Sequence, residues 1–301
     1  MSVHAETRPL VTPLPGGGSG LTVTVEPMIT GTFSSPAIIG SSPVGRVGTL
    51  KLLQEARKEQ PPIPIPAFLI RHPKAGPILV DTGLHPSIAS DPSKNLGRLG
   101  TWFYKPDLEP GDDVSAQLRS KGIDPGAIRL VILTHLHVDH ASAIADFPDS
   151  TLIVTANEWR AATTGLFPTF RGYRRQQIDH AFDFRTVDFE GEQVNSYATF
   201  GRTIDLFGDG SIRLASTPGH SEGHQSVIVR LKDQDMVICG DAIYLADQLE
   251  AGSDLPGLMA DPHNYRRSLQ EMRLFHQQYP ESVMTPGHDP AFYESAPEKF
   301  T

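Results

Sequence analysis

"THLHVDH", residues 134–140, places three of the chain's 12 histidines within seven positions. Crowding imidazoles is costly, because protonated rings repel and each neutral buried ring has a nitrogen that needs a partner. A metal ion satisfies several such nitrogens at once. The stretch ends "IRLVILT" (128–134), an apolar run that reads as a buried strand, so the cluster falls at a strand end. On an extended segment residues i and i+2 point the same way. His135 and His137 can therefore reach one ion, while Asp139 and His140, just beyond, can turn towards a second.

Working outward, four more apolar runs end on residues able to do chemistry. They are "VDTG" with Asp81, "TPGH" with His220, "CGDAIY" with Asp241 and Tyr244, and a second "TPGH" with His288. His220 can complete the first ligand set and His288 the second. Asp241, with two carboxylate oxygens, can bridge both. Imidazole with carboxylate suits zinc, iron, manganese or cobalt, and the lack of cysteine ligands argues against a purely structural zinc. Two such ions ~3.5–4 Å apart would share a water and lower its pKa towards ~7, giving hydroxide at neutral pH.

The remaining sequence mixes strands and helices. "LTVTVEPMI" (21–29) alternates like a strand, and "AFLIRHPKAGPILVDTG" (67–83) reads as a hairpin. "DDVSAQLRSKG" (112–122) predicts a helix with an acidic start and a glycine end. "ASAIADF" predicts a short helix, "STLIVTA" a strand and "NEWRAATTG" another helix. "TIDLFGDGSIRLAST" reads as a hairpin, "HQSVIVRL" and "DMVICGD" as a strand pair. "DPHNYRRSLQEMRLFHQQY" (261–279) has helical spacing, and "SVMTPGHD" (282–289) is a last strand running into a loop. Residues 84–111 look like loop. Residues 165–202 have no clean period and are rich in aromatics, expected to pack core or lid or to line an acyl pocket. Residues 1–20 are rich in Pro, Gly and Ser and are expected to be a flexible tail ahead of a single domain, 21–301.

Composition narrows the function. Of the residues, 39 % are hydrophobic and 20 % charged, as in ordinary globular proteins with a large core. A net charge of −9 argues against a nucleic-acid surface. No apolar run approaches the ~20 residues of a membrane helix, and the first residues lack a secretory apolar core. Cytoplasm is the default location. The single Cys239 excludes an internal disulfide framework and sits in an apolar strand, where a buried thiol is expected.

The order His-x-His-x-Asp-His, then His, Asp and His at long intervals, resembles the metallo-β-lactamase superfamily over residues 21–290. The resemblance implies an α/β fold, a four-layer αβ/βα sandwich with a dinuclear metal site at one edge. Carried over, His135, His137 and His220 resemble the ligands of one ion. Asp139, His140 and His288 resemble those of the other, with Asp241 bridging. Asp81 resembles an aspartate that orients a ligand histidine by hydrogen bonding. "PAFLI…GPILVDTG", "THLHVDHA", "TPGHSEGHQS" and "GDAIY" look most like the N-acyl-homoserine lactone lactonases. In these a tyrosine at the offset of Tyr244 hydrogen-bonds the substrate carbonyl. The implied activity is hydrolysis of a lactone ring, a quorum-quenching reaction, with two divalent ions, zinc first and cobalt, manganese or iron as alternatives. Asp139 would pass a proton to the leaving oxygen. Dimers are common among such lactonases, so a homodimer is carried as an open expectation.

Val138 departs from relatives that have an aromatic there. The same scaffold serves organophosphate triesterases, thioesterases and general esterases. It also serves di-iron proteins, which typically carry glutamate where His137 stands. His224 reads as a hydrogen-bonded structural histidine. His4, His72, His85, His180, His263 and His276 lack supporting neighbours. "RGYRRQ" (171–176) reads as a solvated face, with contact to an anionic substrate as the alternative.

Overall fold

The computed structural model describes residues 4–34, 61–103, 105–164, 168–250 and 259–301. One sheet runs in the order β1 (Thr7–Pro9), β8 (Asp183–Val187), β7 (Thr151–Thr155), β6 (Leu130–Ile132), β4 (Gly76–Val80), β3 (Ile63–His72), β2 (Thr24–Ser34), β5 (Lys105–Asp107). The other runs β14 (Val283–Thr285), β13 (Asp235–Ile238), β12 (Gln225–Arg230), β11 (Ile212–Ser216), β10 (Phe200–Asp205), β9 (Asn195–Tyr197). Strands β4, β6, β7 and β8 pair in parallel, as do β13 and β14, and the β2–β3–β4 meander is antiparallel.

Alternation along the strands builds the layers. Phe68 and Ile70 of β3 face the core between the sheets, where they join Ile204, Leu214, Val227 and Ile238. Their neighbours Ala67 and Leu69 face outward, in a cluster with Val114, Leu118, Ala161 and Ala162. These four belong to the helices Val114–Ser120 and Ala156–Thr164. Ile228 of β12 likewise turns outward onto Leu269, Met272 and Phe275 of the Pro262–Gln278 helix. The order is helix, sheet, sheet, helix, the four-layer sandwich that the resemblance implies. Each of the Val, Leu, Ile, Phe and Met side chains so taken out of water contributes about 1.5–3 kcal/mol. The helix starts are capped as composition suggests: Asp113 accepts from Ala116 N, and Asp261 from His263 N and Asn264 N.

Two expectations need correction. The flexible-tail reading does not hold for the described part of residues 1–20. Thr7–Pro9 pairs in parallel with β8, Leu10 is buried in the intersheet core, and Leu14 N donates to Leu206 O. Pro and Gly content weighed too heavily there against one apolar anchor and a set of main-chain donors. Residues 84–111 are not simply loop: they form helices Ser87–Ser90 and Pro92–Phe103, the second broken at Gly97, and then β5. Residues 165–202 contain β8 and β9, whose short lengths give no measurable period. Phe167 lies outside the described residues.

Strands β4, β6, β11, β13 and β14 are each followed, within a few residues, by one of the five polar features noted in the sequence. Among the described residues, no helix is long and apolar enough to cross a membrane.

Candidate metal centre

Asp81 follows β4 with a positive φ of 61°. Its Oδ1 accepts from Thr134 N at 2.7 Å, and its Oδ2 accepts from Thr134 Oγ1 at 2.8 Å and lies 2.8 Å from His140 Nδ1. One buried carboxylate thus ties the end of β4 to both ends of the THLHVDH segment. Residues Val138–Ala141 form a single helical turn that starts after His137. The turn separates the extended pair His135 and His137 from Asp139 and His140.

The fold brings all seven ligand candidates together. Three groups have donor atoms within 4.8 Å of one another: His135, His137 and His220; His135, His140 and Asp241; and Asp139, His140 and His288. Asp241 lies across them. Its Oδ1 is 3.1 Å from Nε2 of both His140 and His288. Its Oδ2 is 3.3 Å from His220 Nε2 and 3.9 Å from His135 Nε2. Asp139 Oδ2 lies 3.6 Å from His288 Nε2 and 3.7 Å from His140 Nε2.

Four of the rings are held from behind. Nδ1 of His135 meets Thr134 Oγ1 at 3.1 Å, and that of His140 meets Asp81. Nδ1 of His220 meets the Tyr244 hydroxyl at 2.6 Å, and that of His288 meets the Pro64 carbonyl at 2.9 Å. In each case the opposite nitrogen, Nε2, is turned to the centre. This is the arrangement by which a protein fixes the tautomer and direction of a ligating imidazole.

Whether a metal suits these residues can be judged from atoms that the protein alone leaves unsatisfied. Among the described residues, His135 Nε2, His140 Nε2 and Asp241 Oδ1 are buried with no partner in good hydrogen-bonding geometry, even though the last two lie 3.1 Å apart. Such orphans are costly unless something else engages them. Charge points the same way. Burial, above all, holds His135 and His220 well below the ordinary imidazole range, so their rings are neutral, the state that binds a cation. Burial disfavours charge on His140 and His288 too, yet the carboxylates of Asp241 and Asp139, joined at His140 by Asp81, outweigh it and raise both. Burial likewise opposes ionisation of Asp241, but His288, His140 and His220 hold its carboxyl well below the usual range. This half of the site therefore attracts positive charge. The residues fit a pair of cations.

A cavity of ≈ 230 Å³ opens onto the cluster. Its apolar wall includes Phe33, Ile63, Val138 and Met259, and its polar wall includes Tyr244 and Ser221. Arg171, Gly172 and Tyr173 also line it, so part of "RGYRRQ" faces the cavity rather than only solvent. Gly172 has φ +86°, and a Cβ there would stand 2.7 Å from His137 Cδ2, so the chain can close over that ring only with glycine. Cavity-lining Phe33, Ile63 and Met259 escaped notice in the sequence because nothing local distinguishes them from core residues. Of the aromatics in 165–202, Tyr173 reaches the cavity, while Phe184 and Phe200 are core.

His224 is structural, as its sequence context suggests. Its Nδ1 meets Thr217 Oγ1 at 2.9 Å and its Nε2 accepts from Asp241 N at 3.0 Å, with burial pulling its pKa down to about 3. None of His4, His72, His85, His180, His263 and His276 belongs to a ligand group among the described residues. Cys239 is fully buried, and burial pushes its thiol up.

The sequence profile of the Metallo-beta-lactamase superfamily matches residues 61–288, and the chain belongs to that superfamily. Several relatives carry the name N-acyl homoserine lactonase AttM. The one from Agrobacterium fabrum (strain C58) is 35 % identical over 240 residues, 78 % of this chain and 87 % of its own. The one from Azorhizobium caulinodans is 35 % identical over 237 residues, 77 % of this chain and 84 % of its own. A solved N-acyl homoserine lactone hydrolase, with the product N-hexanoyl-L-homoserine at its catalytic metal centre, superposes with a TM-score of 0.73. That match covers 92 % of this chain and 97 % of the other at 21 % identity, which speaks for the fold.

Proposed function

We propose that this chain is a dinuclear metal-dependent hydrolase that opens lactone rings, with N-acyl-homoserine lactones as its substrates. The observation that carries the reading is Asp241, whose two oxygens face two separate groups of inward-turned imidazoles. His135, His137 and His220 would hold one ion, and Asp139, His140 and His288 the other, with Asp241 shared; zinc is the proposed metal. When bound, two such ions polarise a carbonyl and make water nucleophilic at neutral pH. The names of the AttM relatives support the choice of substrate.

The chain's own residues supply the rest. Tyr244 lines the cavity, and its hydroxyl can accept from His220 Nδ1 and donate its proton to the lactone carbonyl oxygen. Its donation strengthens as negative charge builds on that oxygen. Asp139, at the cavity wall, is the more exposed of the site's two carboxylates, its side chain 16 % exposed against 3 % for Asp241. It takes up the proton released by the attacking water and passes it to the ring oxygen as the acyl–oxygen bond breaks, so that water is added across that bond. Phe33, Ile63, Val138 and Met259 receive the acyl tail, whose burial adds binding without taking part in the chemistry. No serine or cysteine nucleophile is required.

Steady-state kinetics on N-acyl-homoserine lactones, simple lactones, aryl esters and phosphotriesters tests the proposal. The expected result is a kcat/KM highest for the acyl lactones. Phosphotriesters turned over orders of magnitude faster than any lactone would assign the site to the triesterase activity of the same scaffold.

A further inference from the structure

Glu158 is a carboxylate with no exposure at all, in the first turn of the Ala156–Thr164 helix, and the chemistry above does not use it. It lies on the helix's buried face with Ala161 and Ala162, where an unpaired carboxylate would be expensive. Its partners explain it. Oε1 accepts from Leu136 N at 2.9 Å. Oε2 accepts from Ser221 Oγ at 2.7 Å and from Gly223 N at 3.0 Å. Leu136 stands between His135 and His137, and Ser221 directly follows His220. One side chain therefore grips both loops that present the three imidazoles of the first group.

The surrounding contacts make the grip tight. Thr155 Oγ1 donates to Gly223 O at 2.6 Å and accepts from Glu158 N at 3.1 Å. A Cβ on Gly223 would lie 2.1 Å from Glu158 N, so the helix start rests directly on that loop. Tyr173, which packs against the His137 ring at 5.0 Å, lies near the same carboxylate. Burial and then Glu158 push its phenol far above the ordinary range, so it remains protonated.

We infer that Glu158 is a positioning residue that sets the spacing of His135 and His137 against His220, and through it the affinity and geometry of the ion held by that group. Asp139, His140 and His288 receive no bond from it. The inference rests on the proposed metal-binding role of the cluster, and its test separates the two.

Metal affinity is measured by chelator competition on the wild type, Glu158→Gln and Ser221→Ala, together with the visible spectrum of the cobalt-substituted forms. Wild-type protein that retains no metal would overturn the metal reading itself. With two ions bound in the wild type, Glu158→Gln puts an amide donor against donors. It should weaken one ion by about 10- to 100-fold, leave the other within a few-fold, and shift the cobalt spectrum. Ser221→Ala removes one donor and leaves the carboxylate in place. It should fold normally and weaken the same ion by a smaller factor, which keeps the test open if the glutamine variant does not fold. Wild-type affinities and spectrum in a folded Glu158→Gln, or in Ser221→Ala when the glutamine variant does not fold, would overturn the assignment. Equal loss of both ions in a folded Glu158→Gln would overturn it too.

Discussion

The Tyr244 hydroxyl lies 2.6 Å from Nδ1 of His220, on the far side of the ring from the nitrogen that faces Asp241. A ring that offers Nε2 to a cation carries its proton on Nδ1. With a cation on Nε2, that proton would point at the tyrosine oxygen, making the hydroxyl the acceptor of this bond, so that its own proton is not spent on His220. Tyr244→Phe should therefore lower kcat by about 100-fold, the cost of losing one oxyanion donor, while metal content measured by elemental analysis stays at the wild-type level. Unchanged kcat in the phenylalanine variant would remove Tyr244 from the chemistry.

His137→Ala takes one of three imidazoles from a group in which its Nδ1 lies 2.8 Å from His220 Nε2. The variant should purify with about one metal ion fewer per chain and negligible hydrolysis. Normal stoichiometry after dialysis would show that His137 is not a ligand.

Chelation of the wild type should abolish turnover and lower Tm by several degrees, since ions that bind only the folded chain stabilise it. Zinc, cobalt or manganese should restore both, as followed by activity and differential scanning fluorimetry. Full activity in the chelated protein would be incompatible with the proposed chemistry.

Asp81 engages Thr134 through both carboxylate oxygens and holds His140 Nδ1. Asp81→Asn nearly preserves volume but puts an amide group where at least one acceptor is needed. Activity or metal affinity should fall by about 10- to 100-fold. A variant with wild-type values in both assays would reduce Asp81 to a turn residue.

His72 offers a pH prediction remote from the cluster. Its Nδ1 accepts from Lys74 N and Ala75 N, closing the β3–β4 turn, and its Nε2 contacts Ser211 Oγ. Burial, with Lys74 adding and Asp209 opposing, lowers its pKa. Below about pH 6.5 the unfolded chain takes up a proton that the folded turn resists, so this contribution is intact above that pH and is lost as pH falls. His72→Asn keeps an acceptor near Nδ1 and removes the titration. Its Tm should fall less than that of the wild type between pH 7.5 and 5.5, and parallel Tm curves would refute the assignment.

The ligand candidates were legible because metal chemistry limits residue type and spacing: His135, His137, Asp139 and His140 sit in one heptapeptide, and each of the others ends an apolar run. Glu158 was not legible, although an acid at the i position of a buried i, i+3, i+4 face with Ala161 and Ala162 was a visible anomaly. Phe33, Ile63 and Met259 reach the cavity through tertiary packing, which no local pattern encodes. Short elements such as β1, β5 and β9 owe their form to a neighbouring strand rather than to their own period.

The pairing of Thr7–Pro9 with β8 has a practical consequence. Those three residues occupy the outer rim of the eight-stranded sheet and satisfy main-chain groups that would otherwise face solvent. A version trimmed to begin at residue 21 would keep the proposed chemistry but leave that rim bare, ready to zip onto another molecule. Such trimming, or a bulky fusion placed against Thr7, invites clumping of a protein whose catalytic parts are all intact.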